Sequence, residues 1–197
     1  MKELVLIRHG RSQYAEERYI GRTDTPLTEQ GVEQAKAVCG QLERLPLEMV
    51  YSSPALRARE TLRPLLDQNP SRQVVVLPEL QEIDFGKWEG LSFDEIQALS
   101  PELVTEWASG RRDFAFPEGE SLEGFWQRVC QAGDRLLAGE EKTVAVVTHG
   151  GVIRYLLCHY LGLPPEKHRS FQIDLGSLTT LTFSEGFAVL KGLNAHG

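Results

Sequence analysis

Leu6-Ile7-Arg8-His9-Gly10 follows directly on a run of apolar residues that reads as a strand. Ligands of open α/β sheets gather at the carboxyl ends of strands, so Arg8 and His9 stand where chemistry is expected. Val147-Thr148-His149-Gly150-Gly151 repeats the arrangement, with glycines that let backbone come close to a ligand. A third segment, Tyr51-Ser52-Ser53-Pro54-Ala55-Leu56-Arg57, puts Arg57 in the first turn of a predicted helix. Free N–H groups and partial positive charge collect at such a helix start. The fourth, Leu80 to Gly90, carries the carboxylates Glu82, Asp84 and Glu89. Taken singly, each has a plain explanation. A histidine after a strand commonly packs or caps, Arg57 and Arg59 can pair with Glu60, and the three carboxylates can be solvated loop charges. Together they make a positive pocket inside an acidic protein, and forked guanidinium donors match the oxygens of a phosphate ester.

Strands and helices must bring these segments together. Glu3–Ile7 and Thr143–Thr148 are dense in β-branched residues and suit strands buried on both faces. Met49–Ser52 and Val74–Leu77 read as two more strands. Thr28 caps a helix to about Leu45, with Val32, Ala35, Val38, Leu42 and Leu45 at helical spacing. Ser53-Pro54 predicts a helix start and a run to about Leu66, kinked at Pro64. Further helices are expected over Ser121 to about Leu137 and Gly151–Leu161. Ser177–Ser184 and Phe187–Leu193 flank Glu185-Gly186 as an antiparallel hairpin at the sheet edge. The pattern is α/β: a three-layer αβα sandwich, its sheet mostly parallel with an antiparallel edge strand. We expect one domain over residues 1–197. An irregular insertion at about 78–120, with helix starts at Ser92 and Ser100-Pro101, would form a small cap over the site.

Composition excludes several alternatives. The chain has 197 residues and a net charge of −7, which argues against a nucleic-acid partner. No apolar run reaches the ~18–20 residues of a membrane span, and the first residues are too short in their apolar part for a signal peptide. A cytoplasmic location is expected. Cys39, Cys130 and Cys158 are an odd number with no CxxC spacing, and read as buried thiols. HExxH, EF-hand, Walker A and GxGxxG motifs are all missing from the sequence, so no metal or cofactor is expected.

Arg8-His9-Gly10, Ser53-Pro54 with Arg57, Glu82…Phe85-Gly86-x-Trp88-Glu89-Gly90 and His149-Gly150-Gly151 occur in this order from Leu4 to about Leu157. The set resembles the histidine phosphatase superfamily, which includes cofactor-dependent phosphoglycerate mutases. Tyr19 to Thr28, Asp84 to Gly90, and Phe116-Pro117-Glu118-Gly119-Glu120-Ser121 are most similar to the α-ribazole phosphatases of cobalamin synthesis. The resemblance implies a phosphoglycerate mutase-like fold and hydrolysis of a small-molecule phosphate ester through a phosphohistidine. It implies His9 as nucleophile, Glu82 as proton donor, and Arg8, Arg57 and His149 as phosphate ligands. A neutral imidazole is already a nucleophile near neutral pH and needs no separate base.

The sequence departs from the family at two points. Arg11 follows Arg-His-Gly where Glu or Asp is frequent, and Ala15 stands where an Asn commonly helps bind phosphate. Ser12, Gln13 and the Gly21 N–H are candidate substitutes, with Gly150 as a further substrate contact. Trp88 reads as a core residue that holds the Glu82 loop; His159, His168 and His196 match no motif. A broad-specificity phosphatase, a mutase and a non-catalytic phospholigand-binding module remain the alternatives. The segment Glu89–Glu120 is short and acidic and offers only Arg111 and Arg112 to a second anionic group, which favours a phosphatase. A monomer or homodimer is expected.

Overall fold

Strand β1 (Lys2–Arg8) is followed by helix α1 (Glu29–Leu42), β2 (Met49–Ser52), α2 (Leu56–Thr61), α3 (Arg63–Gln68) and β3 (Val75–Val76). Then come α4 (Phe93–Leu99), α5 (Pro101–Ala108), α6 (Leu122–Ala138), β4 (Thr143–Thr148), α7 (Gly150–Tyr160), β5 (Leu178–Ser184) and β6 (Phe187–Ala195). The computed structural model describes residues 1–196. Its strands form one sheet in the order β3-β2-β4-β1-β5-β6. The β3, β2, β4 and β1 pairs are parallel, while β5 runs against both β1 and β6. The expected mixed sheet is therefore present, with the reversed strand one place in from the edge.

Alternation along the central strands builds a core on each face. Leu4, Leu6, Val144 and Val146 face the layer of α6 and α7, packing with Phe125, Val129, Ile153 and Leu156. Val5, Ile7, Ala145 and Val147 face α1–α3, packing with Val38, Leu42, Ala58 and Leu65. Two apolar faces on one strand account for the uninterrupted hydrophobic runs.

Two helix boundaries differ from the expectation. Thr28 caps α1 as predicted and Ser121 caps α6, each hydroxyl accepting a backbone N–H three residues on. Ser53 does not cap a helix starting there. Its hydroxyl is engaged elsewhere, and α2 begins at Leu56, whose N–H is taken by Asp24 Oδ1 at 2.9 Å. The helix expected to run to Leu66 breaks at Leu62 and restarts as α3, because Pro64 has no N–H to continue the ladder. β3 shrinks to two paired residues. Ser92 forms the predicted capping box with Glu95.

Residues 78–120 hold two 3₁₀ turns (Pro78–Leu80 and Gly86–Trp88) besides α4 and α5. An aromatic cluster binds them: Trp88, 3% exposed, meets Tyr19, Trp107, Phe114 and Phe116 at ring-centroid distances of 5.2–6.1 Å. No helix among the described residues is long and apolar enough to cross a membrane.

Candidate active site

The register of two neighbouring strands makes the centre of the site. Arg8 on β1 lies opposite Thr148 on β4, so His9 and His149 leave the sheet side by side. Their rings meet edge to face with centroids 5.1 Å apart. On the other side of β4, β2 ends at Ser52, and the chain turns through Ser53 into α2, which carries Arg57 inward. All three side chains are buried: His9 is 6% exposed, Arg57 and His149 1% each.

The hydrogen bonds assign the protons. His9 Nδ1 donates to Gly10 O at 2.8 Å, which leaves the lone pair on Nε2. Arg57 Nε donates to that Nε2 at 3.3 Å. Burial, then the neighbouring Arg57 and Arg8, hold the His9 imidazole well below its ordinary pKa. His149 is pushed down in the same direction, by burial first and then by Arg57, His9 and Arg8. Both rings are neutral at pH 7. The Ser53 hydroxyl accepts from Ala55 N at 3.3 Å and is hydrogen-bonded to His149 Nε2 at 2.8 Å. His149 Nδ1 is buried with no partner in the protein, and it carries the ring proton in the tautomer in which Ser53 donates to Nε2. Arg8 is tied through Nη1 to Ile173 O at 2.6 Å, while its Nε is also buried and unpaired. Buried polar groups in folded proteins are almost always satisfied. The unpaired Arg8 Nε–H, and His149 Nδ1 in its protonated tautomer, are donors that suit an oxyanion.

Glu82 completes the group. Its Oε2 accepts from Gly151 N at 2.9 Å, in the first turn of α7, and its Oε1 from Ile83 N at 3.0 Å. A side chain at Gly151 would push this carboxylate out of its place. Arg8, His9, Ser12, Ala15, Arg57, Glu82 and Gly150 line one cavity of about 350 Å³, within the size range of small-molecule sites. Tyr19, Ile20, Phe85 and Phe93 give it an apolar flank, and Glu16, Glu17, Arg18 and Arg154 line it as well. Ala15 contributes only a methyl group.

Other candidates lie elsewhere. Gln13 is exposed, away from the cavity lining. The Gly21 N–H is consumed by Glu89 Oε1 at 2.9 Å, so it is not free for a ligand; its carbonyl instead accepts from Arg57 Nη2 at 2.8 Å. Asp84 faces a turn, its Oδ1 accepting from Gly86 N at 2.9 Å. His159 and His196 bond Asp134 and Asp174, and His168 stacks on Tyr155. Burial pushes all three free thiols up, to about 11.

Sequence reasoning missed two supporting groups. Glu89 reads as a loop charge, yet it accepts from Gly21 N, Arg22 N, Thr23 N and Thr23 Oγ1 at 2.7–3.3 Å. The carbonyls of Gly21 and Thr23 in turn hold the Arg57 guanidinium at 2.8 and 2.9 Å. Ser53 reads as a helix cap and instead orients His149. Neither partner is near in sequence, so only the tertiary fold reveals these roles.

The chain is 32% identical over 195 residues to the adenosylcobalamin/alpha-ribazole phosphatase of Salmonella typhimurium, covering 98% of this chain and 96% of that one. It is 31% identical over 196 residues to phosphoserine phosphatase 1 of Hydrogenobacter thermophilus, covering 98% and 92%. The crystal structure of the alpha-ribazole phosphatase from Shigella flexneri superposes with a TM-score of 0.91 at 31% identity, covering 98% of this chain and 96% of that chain. The sequence model of the histidine phosphatase superfamily (branch 1) matches residues 4–196. With sequence and fold agreeing over nearly its full length, the chain belongs to the histidine phosphatase superfamily.

Proposed function

We propose that the protein hydrolyses a phosphate monoester through a phosphohistidine at His9, and that the substrate is α-ribazole 5′-phosphate. The observation that carries the chemistry is the unprotonated His9 Nε2, contacted by Arg57 Nε, with the His149 ring packed against His9 and with His149 Nδ1 and Arg8 Nε left unpaired. The lone pair of Nε2 attacks phosphorus, and Arg8, Arg57 and His149 hold the non-bridging oxygens. As the ester P–O bond breaks, Glu82 gives its proton to the leaving oxygen. A water then attacks the phosphohistidine, passing its proton to Glu82 while the P–N bond breaks. Phosphate and alcohol leave, and Glu82 is again protonated. Ser12 and Gly150 are substrate contacts in this reading. Residues 78–120, which supply Glu82, Phe85 and Phe93 to the cavity, act as a cap on a single domain.

Two considerations support the α-ribazole ester. The alpha-ribazole phosphatases named above align with almost the whole chain, and the apolar flank of Tyr19, Ile20, Phe85 and Phe93 suits an aromatic base. The similarity to a phosphoserine phosphatase makes phosphoserine the first competitor. The test is a hydrolysis panel of α-ribazole 5′-phosphate, phosphoserine, 3-phosphoglycerate, sugar phosphates and nucleotides, run with and without EDTA. The highest kcat/KM on α-ribazole 5′-phosphate, unchanged by EDTA, is expected. Isomerisation of 3-phosphoglycerate would favour a mutase. His9→Ala should abolish turnover and any trapped phosphoenzyme; retained turnover overturns the assignment.

A further inference from the structure

The carboxylate proposed as proton donor sits on a segment with little regular structure, between β3 and the 3₁₀ turn at Gly86–Trp88. One side chain of α6 holds that segment. Arg128 Nη1 donates to Glu79 O and Gln81 O, both at 2.7 Å, and Nη2 reaches Glu82 O at 3.4 Å. Its remaining N–H groups go to the Glu120 carboxylate, Nε to Oε1 at 2.9 Å and Nη2 to Oε2 at 2.8 Å. All five guanidinium donors are thus used. Glu120 in turn accepts from Asp84 N at 3.3 Å, and its own N–H donates to Asp84 O at 2.9 Å. The pair therefore grips the chain on both sides of Glu82.

We infer that Arg128, locked by Glu120, is a positioning residue for proton donation by Glu82. The inference rests on the acid role of Glu82 proposed above. The physical argument is geometric. Backbone carbonyls of residues 79–82 cannot all find partners in a sheet, because β3 ends at Val76. A planar fork with five fixed donors satisfies several at once, which an ammonium on a flexible stem cannot do. Arg128 and Glu120 are largely buried, with side-chain exposures of 18% and 17%, so the pair is shielded from solvent screening. Thr148 Oγ1 adds a bond to Leu80 O at 2.6 Å, fixing the same segment to the strand that carries His149. Proton donor and phosphate ligand are thereby referred to one frame. A displacement of about 1 Å in such a frame costs up to ~10²-fold in rate.

A buried ion pair that served only folding would lower all activities alike. A positioning residue acting through the acid has a different signature. Arg128→Gln should lower kcat/KM for an alkyl ester, β-glycerophosphate, by roughly ten- to a hundredfold, a constant that reads formation of the phosphohistidine and not its later hydrolysis. On p-nitrophenyl phosphate, whose phenolate leaves without a proton, the loss in kcat/KM should stay below about threefold. In a Glu82→Gln background the same change should add less than about twofold, because coupled residues are not additive. Arg128→Lys and Glu120→Gln should give smaller losses with the same selectivity, and they carry the comparison if Arg128→Gln does not unfold cooperatively. Equal losses on the two esters, no loss on either, or additive losses in the double variant overturn the inference and leave the Glu82 reading standing. If Glu82→Gln itself shows no preference for the alkyl ester, the acid reading fails and the inference with it.

Discussion

Glu82 and Asp84 are two residues apart and chemically alike, yet they face different surroundings. Glu82 lines the cavity with its carboxylate on the first turn of α7, whereas Asp84 closes a turn onto Gly86. General-acid help matters most when the leaving alkoxide is poor. Glu82→Gln is expected to lower kcat/KM for an alkyl phosphate by ~10²–10⁴-fold while sparing that for p-nitrophenyl phosphate much more. Asp84→Asn should show no such selectivity, and kcat/KM of both variants on both esters decides between the carboxylates. The Ser53 hydroxyl acts at the same scale, since its bond to Nε2 holds the ring of His149. Ser53→Ala removes one net hydrogen bond of about 0.5–1.5 kcal/mol. We expect kcat/KM to fall roughly two- to tenfold, with α2 intact by circular dichroism, because Leu56 N remains capped by Asp24.

At the scale of elements, the site depends on one loop being held against one helix. The Glu89 carboxylate collects the N–H groups of residues 21–23, and this turns their carbonyls onto Arg57. Glu89→Gln replaces one accepting oxygen by a donor and removes the charge. Hydrogen bonds to a charged group contribute about 1.5–3 kcal/mol, and each kcal/mol moves Tm by roughly 2–4 °C in a domain of this size. The variant should therefore melt several degrees lower and bind phosphate more weakly, seen as a higher KM for every ester and a higher Ki for inorganic phosphate. Unchanged KM with a lowered Tm would restrict Glu89 to a role in folding.

For the molecule as a whole, the buried histidines link activity to acid stability. His9 and His149 are held well below their ordinary value by burial, and His168 is lowered for the same reason. An unfolded chain takes up protons on these side chains at about pH 6.5, while the folded protein does not until the pH is lower. The unfolded state then binds more protons, so stability falls as pH drops below about 6.5. The slope for each such histidine is up to about 1.4 kcal/mol per pH unit, and it ends where the folded imidazole itself protonates. Urea unfolding between pH 7 and 5 should show this decline, and His149→Gln should reduce its slope. A decline of equal slope in the variant would remove His149 as a contributor.

Strand patterns, two of the helix caps and the four motifs were legible in the sequence because each is local. β-Branched runs mark buried strands, Thr28 and Ser92 each bond an N–H three residues on, and glycines stand where backbone approaches a side chain. The pairing of His9 with His149 was foreseeable only as a resemblance; the parallel register of β1 on β4 makes it physical. Tertiary structure alone decided which polar groups remain for a ligand. Gly21 reads as a free N–H until Glu89, 68 residues away, takes it, and Ser53 reads as a helix cap until His149, 96 residues away, engages it. Arg128 shows no sign in the sequence of holding the carbonyls of residues 79–82. A hydrogen bond depends on distance and angle between atoms, and for groups so far apart along the chain the packed layers set both.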